Sequence, residues 1–291
     1  MIVFNTIKNL QATLTKDREK GKIIGFVPTM GALHAGHLTL ARHSLATCQR
    51  TVFMIFVNPK QFCSDEDFSS YPRSLVKDVA LLAKVGVDYC FAPSVEEIWS
   101  EGHETFVDMD QLSRVLLGKQ RPGHFRGVAT ILAKTFNIIG ANKAFFGEKD
   151  FQQLIIVRRM VKDLAFPVEI VGVPTCRDPD GVASSSRNLL LTAEDRKAAV
   201  VIPQSWRAVE RLYHAGERSS KRLLEVARKV LEKEKRGKIE IIDLRNVETF
   251  ANVEEAIKKP TVLILAVRFG KIQLIDQHIL GSNASCIYTT E

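Results

Sequence analysis

Two histidines three residues apart lie in a glycine-containing stretch near the start of the chain. The stretch reads PTMGALHAGH, and the histidines are His34 and His37. If a helix begins here, the two imidazoles share one face of its first turn, beside backbone N–H groups that the helix leaves unpaired. Imidazole donors and such N–H groups suit the phosphates of a nucleotide. The pattern favours a triphosphate site, while a structural pair and a zinc pair stay open; no third or fourth zinc ligand is evident.

Three later segments contain side chains that could complete such a site. Side-chain amides can orient the hydroxyl and carboxylate of a polar substrate. A glycine lets a ligand approach the backbone, a lysine or arginine neutralises phosphate, and serine hydroxyls add hydrogen bonds. Each segment taken alone is also typical of an ordinary loop or helix cap. The segments are NPKQF with Asn58 and Gln61, GEKD at 147–150 followed by Gln152 and Gln153, and SSSRN at 184–188.

Short apolar segments alternate with helical patterns over about the first 175 residues. Repeated βαβ units with continuous apolar strands predict an α/β fold, a Rossmann-like doubly wound parallel sheet with helices on both faces. Ligands of such sheets bind beyond the carboxyl ends of the strands, which is where the segments above lie. The predicted strands are 22–27, 52–57, 88–91, 143–146 and 168–173, and the predicted helices are 37–49, 75–84, 127–139 and 151–164.

The pattern changes after Asp178-Pro179-Asp180-Gly181, a sequence typical of a turn. Two helical patterns are followed by strands, the last two of which are joined by a tight turn at Phe269-Gly270. This order predicts a smaller C-terminal α+β domain, so the expected domains are 1–177 and 178–291. The predicted helices are 192–215 and 218–235, and the predicted strands are 239–244, 261–267 and 271–275.

Composition excludes several classes of protein. The chain has 291 residues, of which 45% are hydrophobic and 25% charged, as in ordinary soluble globular proteins. Its longest strongly apolar runs are only six residues long, at 52–57 and 262–267, far below a membrane span. The net charge of +8 is spread, with +5 in residues 1–177 and +3 in residues 178–291, which argues against a nucleic-acid-binding tail. Five cysteines without metal-like spacing and no targeting signal predict free thiols in the cytoplasm.

Six segments, taken in order, resemble the pantoate–β-alanine ligase family of the HIGH-motif nucleotidyltransferases. Each segment is short, but their order and spacing together are highly specific, and the resemblance covers nearly the whole chain. They are PTMGALHAGH at Pro28–His37, VNPKQF at Val57–Phe62, YPR at Tyr71–Arg73, RPGHFRGVAT at Arg121–Thr130, FFGEKDFQQ at Phe145–Gln153 and SSSRN at Ser184–Asn188.

The resemblance implies an ATP-dependent ligase that releases AMP and works in two steps. Pantoate would react with ATP, accompanied by Mg²⁺, to give pantoyl adenylate and pyrophosphate, and β-alanine would then displace AMP. It also implies a cytoplasmic homodimer with small-molecule substrates and no nucleic-acid or membrane partner. One alternative is a nucleotidyltransferase that passes AMP to a phosphorylated acceptor and stops there. A basic nucleic-acid-binding module is the alternative without catalysis.

The resemblance also assigns residues, with His34, His37 and Lys149 as catalytic groups and His37 as the proton donor. Gln61 would bind both pantoate and β-alanine, Gln153 would bind pantoate, and metal ligands are left unassigned. Two positions depart from the family pattern, Ser184 in place of Met and Cys176 in place of Val. The residues assigned to ATP are Met30, Gly31, Ala32, Leu33, His34, Ala35, Gly36, His37, Gly147, Glu148, Lys149, Asp150, Cys176, Ser184, Ser185, Ser186 and Arg187; second-rank candidates are Asn58, Tyr71, Arg121 and His124.

Overall fold

The computed structural model of the protein describes residues 1–282 and the short strand Cys286–Ile287. By their internal contacts, residues 1–147 and 152–173 form a first unit, and residues 148–151 together with those from 174 onward form a second. The expected domains 1–177 and 178–291 stay a prediction. The boundary between the two contact units follows residue 173, four residues before the expected boundary after residue 177. In the GEKD segment, Gly147 belongs to the first unit and residues 148–150 belong to the second.

The first unit is built on a parallel sheet, which confirms the predicted α/β class. Within residues 1–173 the sheet has six strands in the order β1-β4-β3-β2-β5-β6, with every neighbouring pair parallel. The strands are β1 Ile2–Phe4, β2 Ile24–Thr29, β3 Arg50–Ile55, β4 Tyr89–Phe91, β5 Lys143–Gly147 and β6 Glu169–Val173; the helices are α1 Ile7–Glu19, α2 Ala35–Thr47, α3 Asp65–Ser70, α4 Leu75–Val85, α5 Val95–Ile98, α6 Leu117–Gln120, α7 His124–Ile139 and α8 Phe151–Asp163.

Helices cover both faces of this sheet because successive strand residues point to opposite sides. Phe26 packs in one core with side chains of α1, α7 and α8, whereas Val27 and Phe53 pack in another with side chains of α2 and α4. Both cores exclude water almost completely, which explains why the strands read as continuous apolar runs in the sequence.

The strand order reverses beside β2. From β2 the chain runs outward to β3 and β4, then returns to place β5 on the other side of β2. The carboxyl ends of β2 and β5 therefore flank the point at which open α/β sheets form a ligand-binding crevice. The histidine segment follows β2, and Gly147 is the last residue of β5.

The N-terminal elements β1 and α1 were not predicted. β1 has three residues, lies at the edge of the sheet and pairs only with β4, so it lacks a long apolar run. α1 buries Leu10 and Leu14 on an otherwise polar helix, which gives a weak amphipathic signal. All the predicted elements of this unit are present, with ends shifted by at most three residues.

The second unit contains an antiparallel sheet in the order β10-β9-β8, on which α10 and α11 pack through a shared apolar core. The predicted turn at Phe269-Gly270 joins β9 to β10. The strand β7 pairs in parallel with β11. The helices are α9 Ala193–Ala198, α10 Val201–His214 and α11 Ser220–Leu231; the strands are β7 Cys176–Arg177, β8 Gly237–Asn246, β9 Thr261–Phe269, β10 Ile272–Ile279 and β11 Cys286–Ile287.

The prediction of one helix over 192–215 is wrong, because the chain forms α9 and α10 with a break at Ala199-Val200. Pro203 explains the break. Its ring nitrogen has no N–H to bond the carbonyl of Ala199, and the ring would clash with that carbonyl in a continuous helix. As the third residue of α10, Pro203 lies in the first turn, where a missing N–H does no harm.

No helix among residues 1–282 combines the length and the apolar character needed to cross a membrane.

Cys48, Cys63 and Cys90 form no disulfide. Burial, reinforced by the nearby carboxylate of Asp78, raises the pKa of Cys90 to about 12 and keeps its thiol protonated. The prediction of a free thiol at Cys286 is not tested, because its side chain lies outside the described part of the chain.

A buried ion pair stabilises the second unit. Both side chains are almost fully shielded from solvent, with Arg177 at 5% and Asp276 at 2% exposure. The guanidinium binds both carboxylate oxygens, at 2.8 and 3.0 Å, and also the carbonyls of Gly181 and Gln277. Its remaining face lies over the ring of Trp206. Arg177 thereby fixes β7 to β10 and to the turn at Gly181.

Removing one partner of this pair should be strongly destabilising. Asp276→Asn leaves the Arg177 charge buried without a counter-charge, and we expect a loss of about 3–5 kcal/mol of unfolding free energy. Urea denaturation followed by circular dichroism measures it. The control Glu232→Gln breaks the exposed pair with Arg228 and should cost less than about 1 kcal/mol. Equal losses in the two variants would contradict the structural role of Arg177.

Candidate active site

The loop after β2 is held by a buried carboxylate from α4. Asp78, only 1% exposed, accepts the backbone N–H groups of Ala32 and Leu33, both at 2.9 Å, and the hydroxyl of Ser74 at 3.2 Å. These bonds hold two consecutive residues at positive φ, Gly31 at +80° and Ala32 at +51°. A positive φ costs free energy at a non-glycine residue, so Ala32 keeps this conformation only because the surrounding contacts impose it. Asp78 therefore determines the course of the loop that leads to the histidines.

His34 and His37 cap the start of α2 reciprocally. His34 is the residue before the helix, and its Nδ1 accepts the backbone N–H of Gly36 at 3.1 Å. The Nδ1 of His37 accepts the backbone N–H of His34 at 3.3 Å. The ring centroids are 4.0 Å apart. The histidines thus satisfy helix N–H groups in the way that serine and glutamate do in a capping box.

This geometry sets the chemical character of both rings. Because each Nδ1 accepts an N–H, each neutral imidazole has its proton on Nε2, the nitrogen on the opposite side of the ring from the backbone contact. Two Nε2–H donors on adjacent rings match the requirements of a phosphate group.

The expectation that the helix start offers unpaired N–H groups is wrong for the amides that surround the histidines. Those of Ala32 and Leu33 bond to Asp78, and those of His34 and Gly36 bond to imidazoles. These four amides are therefore engaged by protein side chains, namely Asp78 of α4 and the two imidazoles.

Gln61 ends a short 3₁₀ helix after β3, where its surroundings orient both backbone and side chain. Its Oε1 accepts from Asn58 Nδ2 at 3.0 Å, and its Nε2 lies 3.0 Å from the sulfur of Met30. The ring of His124, at the start of α7, contacts its carbonyl at 2.8 Å through Nδ1. The structure thus brings together Met30, Gln61 and two of the second-rank candidates.

The neighbouring glutamines on α8 differ in environment. Gln152 is buried and bonds the carbonyls of Leu112 and Val115 and the N–H of Leu117, which makes it structural. Gln153, assigned to pantoate, is half-buried on the same helix.

The ring of Tyr71 packs edge-on against Phe62. Around Gly147 there is open space at its α-carbon, as a close ligand approach requires.

In the second unit, Lys149 and Ser185 line one cleft of about 250 Å³, open to solvent. Asn188 also lines it, and its Oδ1 is buried without a hydrogen-bond partner among the described residues. Lys149 is mostly buried and lies 3.9 Å from the Asp150 carboxylate. A cation, a hydroxyl and an amide in one cleft form a set that can bind a phosphate or a ribose hydroxyl.

The SSSR segment follows a tight hairpin between Cys176 and Ser184. The two departures from the family pattern contact each other here, since the Ser184 hydroxyl lies 3.9 Å from the Cys176 sulfur. Ser184 donates to Asp178 at 2.8 Å and is buried, so its side chain has a structural role. The Ser185 hydroxyl instead accepts the N–H of Arg187 and starts the next 3₁₀ helix.

Arg196 fixes the turn of this hairpin by bonding Asp180 at 2.7 Å and Asp178 at 2.9 Å. Partial burial alone would raise the pKa of Asp180, but hydrogen bonds from Arg196 and from the Val182 N–H outweigh it, and the pKa lies below its ordinary value. The turn therefore stays charged and paired into acidic solution, which keeps the serine segment in place.

The donor set for a resident metal ion is poor. No group of three or more histidine, cysteine, aspartate or glutamate side chains is placed to hold a metal among the residues that the structure describes. The Nδ1 atoms of His34 and His37 are already occupied by backbone N–H groups. These residues do not fit a preformed Mg²⁺ or zinc site.

Sequence reasoning missed Asp78, whose two backbone contacts lie 45 and 46 residues away. A signal was present, because Asp78 interrupts the apolar helical pattern of LVKDVALL. A carboxylate on a buried helix face needs a partner, and the adjacent loop supplies it.

Comparison with known proteins finds relatives over nearly the whole chain. The chain matches the pantoate-beta-alanine ligase family over residues 2–279. It is 58% identical to a pantothenate synthetase of Bartonella quintana over 278 residues, 96% of this chain and 97% of that protein. The crystal structure of pantothenate synthetase from Thermus thermophilus superposes with a TM-score of 0.90 at 41% identity, covering 96% of this chain and 99% of that one.

A pantoate-beta-alanine ligase from Francisella tularensis, solved in complex with beta-gamma ATP and beta-alanine, has a TM-score of 0.79 at 32% identity and covers 96% of this chain and 97% of that one. The family match and the first of these relatives each extend over nearly the whole chain. This chain belongs to the pantoate-beta-alanine ligase family.

Proposed function

We propose that the protein condenses pantoate and β-alanine to pantothenate with ATP, through a pantoyl adenylate, releasing pyrophosphate and AMP. The observation that carries the proposal is the reciprocal histidine cap beside the switch point of the sheet, in which each Nδ1 accepts a backbone N–H, so that a neutral ring has its proton on Nε2. Family membership and the substrates named for the Francisella tularensis relative support the same assignment.

In the first step a pantoate carboxylate oxygen attacks the α-phosphorus of ATP, and the bond to pyrophosphate breaks. Negative charge grows on the phosphate oxygens during this step. The Nε2–H groups of His34 and His37 stabilise that charge by donation, and Lys149 adds a cation in the same role. No covalent enzyme intermediate is needed, so positioning and charge stabilisation account for the catalysis.

In the second step the amine of β-alanine attacks the acyl carbon of the adenylate, and AMP leaves. Gln61 contacts both the pantoyl group and β-alanine through its side-chain amide, with Gln153 as a further contact to the pantoyl group. The remaining residues assigned to ATP border the nucleotide; they lie in the segments 30–37, 147–150 and 184–187, together with Cys176. Ser184 and Cys176 act through the hairpin they hold, since their side chains contact each other.

Mg²⁺ enters this proposal as part of the nucleotide substrate, because the protein offers no preformed set of ligands among its described residues. The proposal also includes a homodimer in the cytoplasm, which rests on the family resemblance. Sedimentation of the purified protein tests the oligomeric state.

The reaction is tested with each substrate in turn. Pantoate with ATP should support exchange of labelled pyrophosphate into ATP, and AMP should appear only when β-alanine is added. Transfer of AMP to a phosphorylated acceptor without AMP release would favour a nucleotidyltransferase. Salt-dependent nucleic-acid binding without ATP turnover would refute the ligase function.

We expect His37→Ala and Lys149→Ala to reduce pyrophosphate exchange by about 10²–10³-fold, as for the loss of other transition-state donors. His43, exposed on the same helix as His37, and Lys143, which pairs with the exposed Glu169, provide the matched alanine controls. The controls should keep full exchange. Near-normal adenylate formation in either test variant, measured in a single turnover, would refute the role given to that residue.

Asp78→Asn should weaken the same step without touching a substrate. An asparagine amide cannot accept two backbone N–H groups with a full charge, and we expect a loss of about 1.5–3 kcal/mol in loop stabilisation, seen as a 10–100-fold fall in exchange. Asp88→Asn is the control, because Asp88 accepts the Thr51 N–H on the same sheet away from the loop. If both variants lose only stability and keep full exchange, Asp78 does not position the histidines.

A further inference from the structure

We propose that Trp99 is a positioning residue that, through Asn58, determines which end of the Gln61 amide faces the substrate. The inference rests on the proposed function, in which Gln61 binds pantoate and β-alanine. Trp99 follows α5, lies outside the segments that resemble the family, and is 8% exposed. Its indole N–H donates to Asn58 Oδ1 at 3.2 Å.

The orientation of the Asn58 amide is determined by partners that can act in only one way. Its oxygen accepts from the indole of Trp99 and from the backbone N–H of Lys60, at 3.2 and 3.3 Å, and both groups can only donate. Its nitrogen donates to the carbonyl of Gly127 at 3.2 Å, which can only accept. Asn58 is 1% exposed, so a flipped amide would find no water to replace these bonds.

The fixed amide of Asn58 then orients Gln61. The second hydrogen of Asn58 Nδ2 points to Gln61 Oε1 at 3.0 Å, so Gln61 turns its oxygen toward Asn58. Its nitrogen is therefore at the other end, near the Met30 sulfur. A thioether is a weak acceptor that a carboxylate can readily replace. Gln61 accordingly presents N–H donors to an acidic substrate, and a flipped Gln61 would present an oxygen and repel it.

The packing around these residues leaves little room for rearrangement. The indole of Trp99 lies edge-on to His103 with centroids 4.7 Å apart, and Lys134 lies 5.5 Å from its ring centre. A β-carbon on Gly127 would collide with the carbonyl of Lys60, so α7 approaches the 3₁₀ turn at backbone distance. A tyrosine or neutral histidine at position 99 could accept as well as donate, whereas an indole enforces one polarity.

Trp99→Phe tests the inference, since it removes the N–H and keeps an aromatic ring. We expect KM for pantoate and for β-alanine to rise about tenfold, the equivalent of one lost hydrogen bond of about 1.4 kcal/mol, with KM for ATP unchanged. The matched control is Trp206→Phe, because Trp206 is the other tryptophan and its buried indole nitrogen has no hydrogen-bond partner among the described residues. That control should leave all three KM values unchanged.

A double-mutant cycle separates polarity from packing. Gln61→Met removes the amide whose orientation is at stake, so adding Trp99→Phe to it should change the KM of neither acid further. An undiminished effect of Trp99→Phe in that background would overturn the inference. It would mean that Trp99 acts through packing alone.

An isostere covers the case in which Trp99→Phe fails to fold. In the Trp206→Phe protein, replacing tryptophan by benzothienylalanine exchanges the Trp99 N–H for sulfur at nearly constant volume, and the same rise in KM for both acids is expected. Unchanged KM values would refute the inference while leaving the ligase function intact. A parent protein that forms no pantothenate at all would refute the proposed function itself.

Discussion

Every helix begins with backbone N–H groups that its own turns cannot satisfy, and at α2 two imidazoles that belong to the proposed site accept such groups. His34 and His37 accept these N–H groups through Nδ1, and Asp78 accepts those of the preceding loop. The same bonds stabilise the loop, fix the imidazole tautomers and direct Nε2 away from the backbone. Fold and chemistry depend here on one set of hydrogen bonds.

The two contact units have different means of holding their functional segments. In the first unit, neutral amides, imidazoles and one buried carboxylate form the support around Met30 and Gln61. In the second, charge dominates, with Arg177 on Asp276 and Arg196 on Asp178 and Asp180. These ion pairs leave the net charge of +8 unchanged, because each takes up one cation and one anion.

The parallel sheet and most of its helices are readable from the sequence because both sheet faces are buried, and continuous apolar strands result. The short edge strand β1 and the helix α1, with two buried leucines, leave too weak a pattern. The prediction of one helix over 192–215 is wrong because the apolar periodicity continues across Ala199-Val200, where the helix is interrupted so that Pro203 falls in the first turn of α10. The sequence singles out His34 and His37 because they follow a predicted strand, and their role in a site stays a prediction. Their partner Asp78 and the Trp99–Asn58 contact depend on residues more than 40 positions apart, which no local pattern encodes.

Asp78 has a consequence for inhibitor design. A glycine-containing loop before a helix invites ligands with a carbonyl or sulfonyl group aimed at the backbone amides. In this protein the amides of Ala32 and Leu33 are already engaged by a buried carboxylate, which such a group would have to displace. If the proposed site is correct, a compound gains more by accepting from the imidazole Nε2–H groups and by placing an anionic group against Gln61. Selectivity would then come from contacts with side chains. A group that imitates a phosphate by accepting from the loop amides would contribute little.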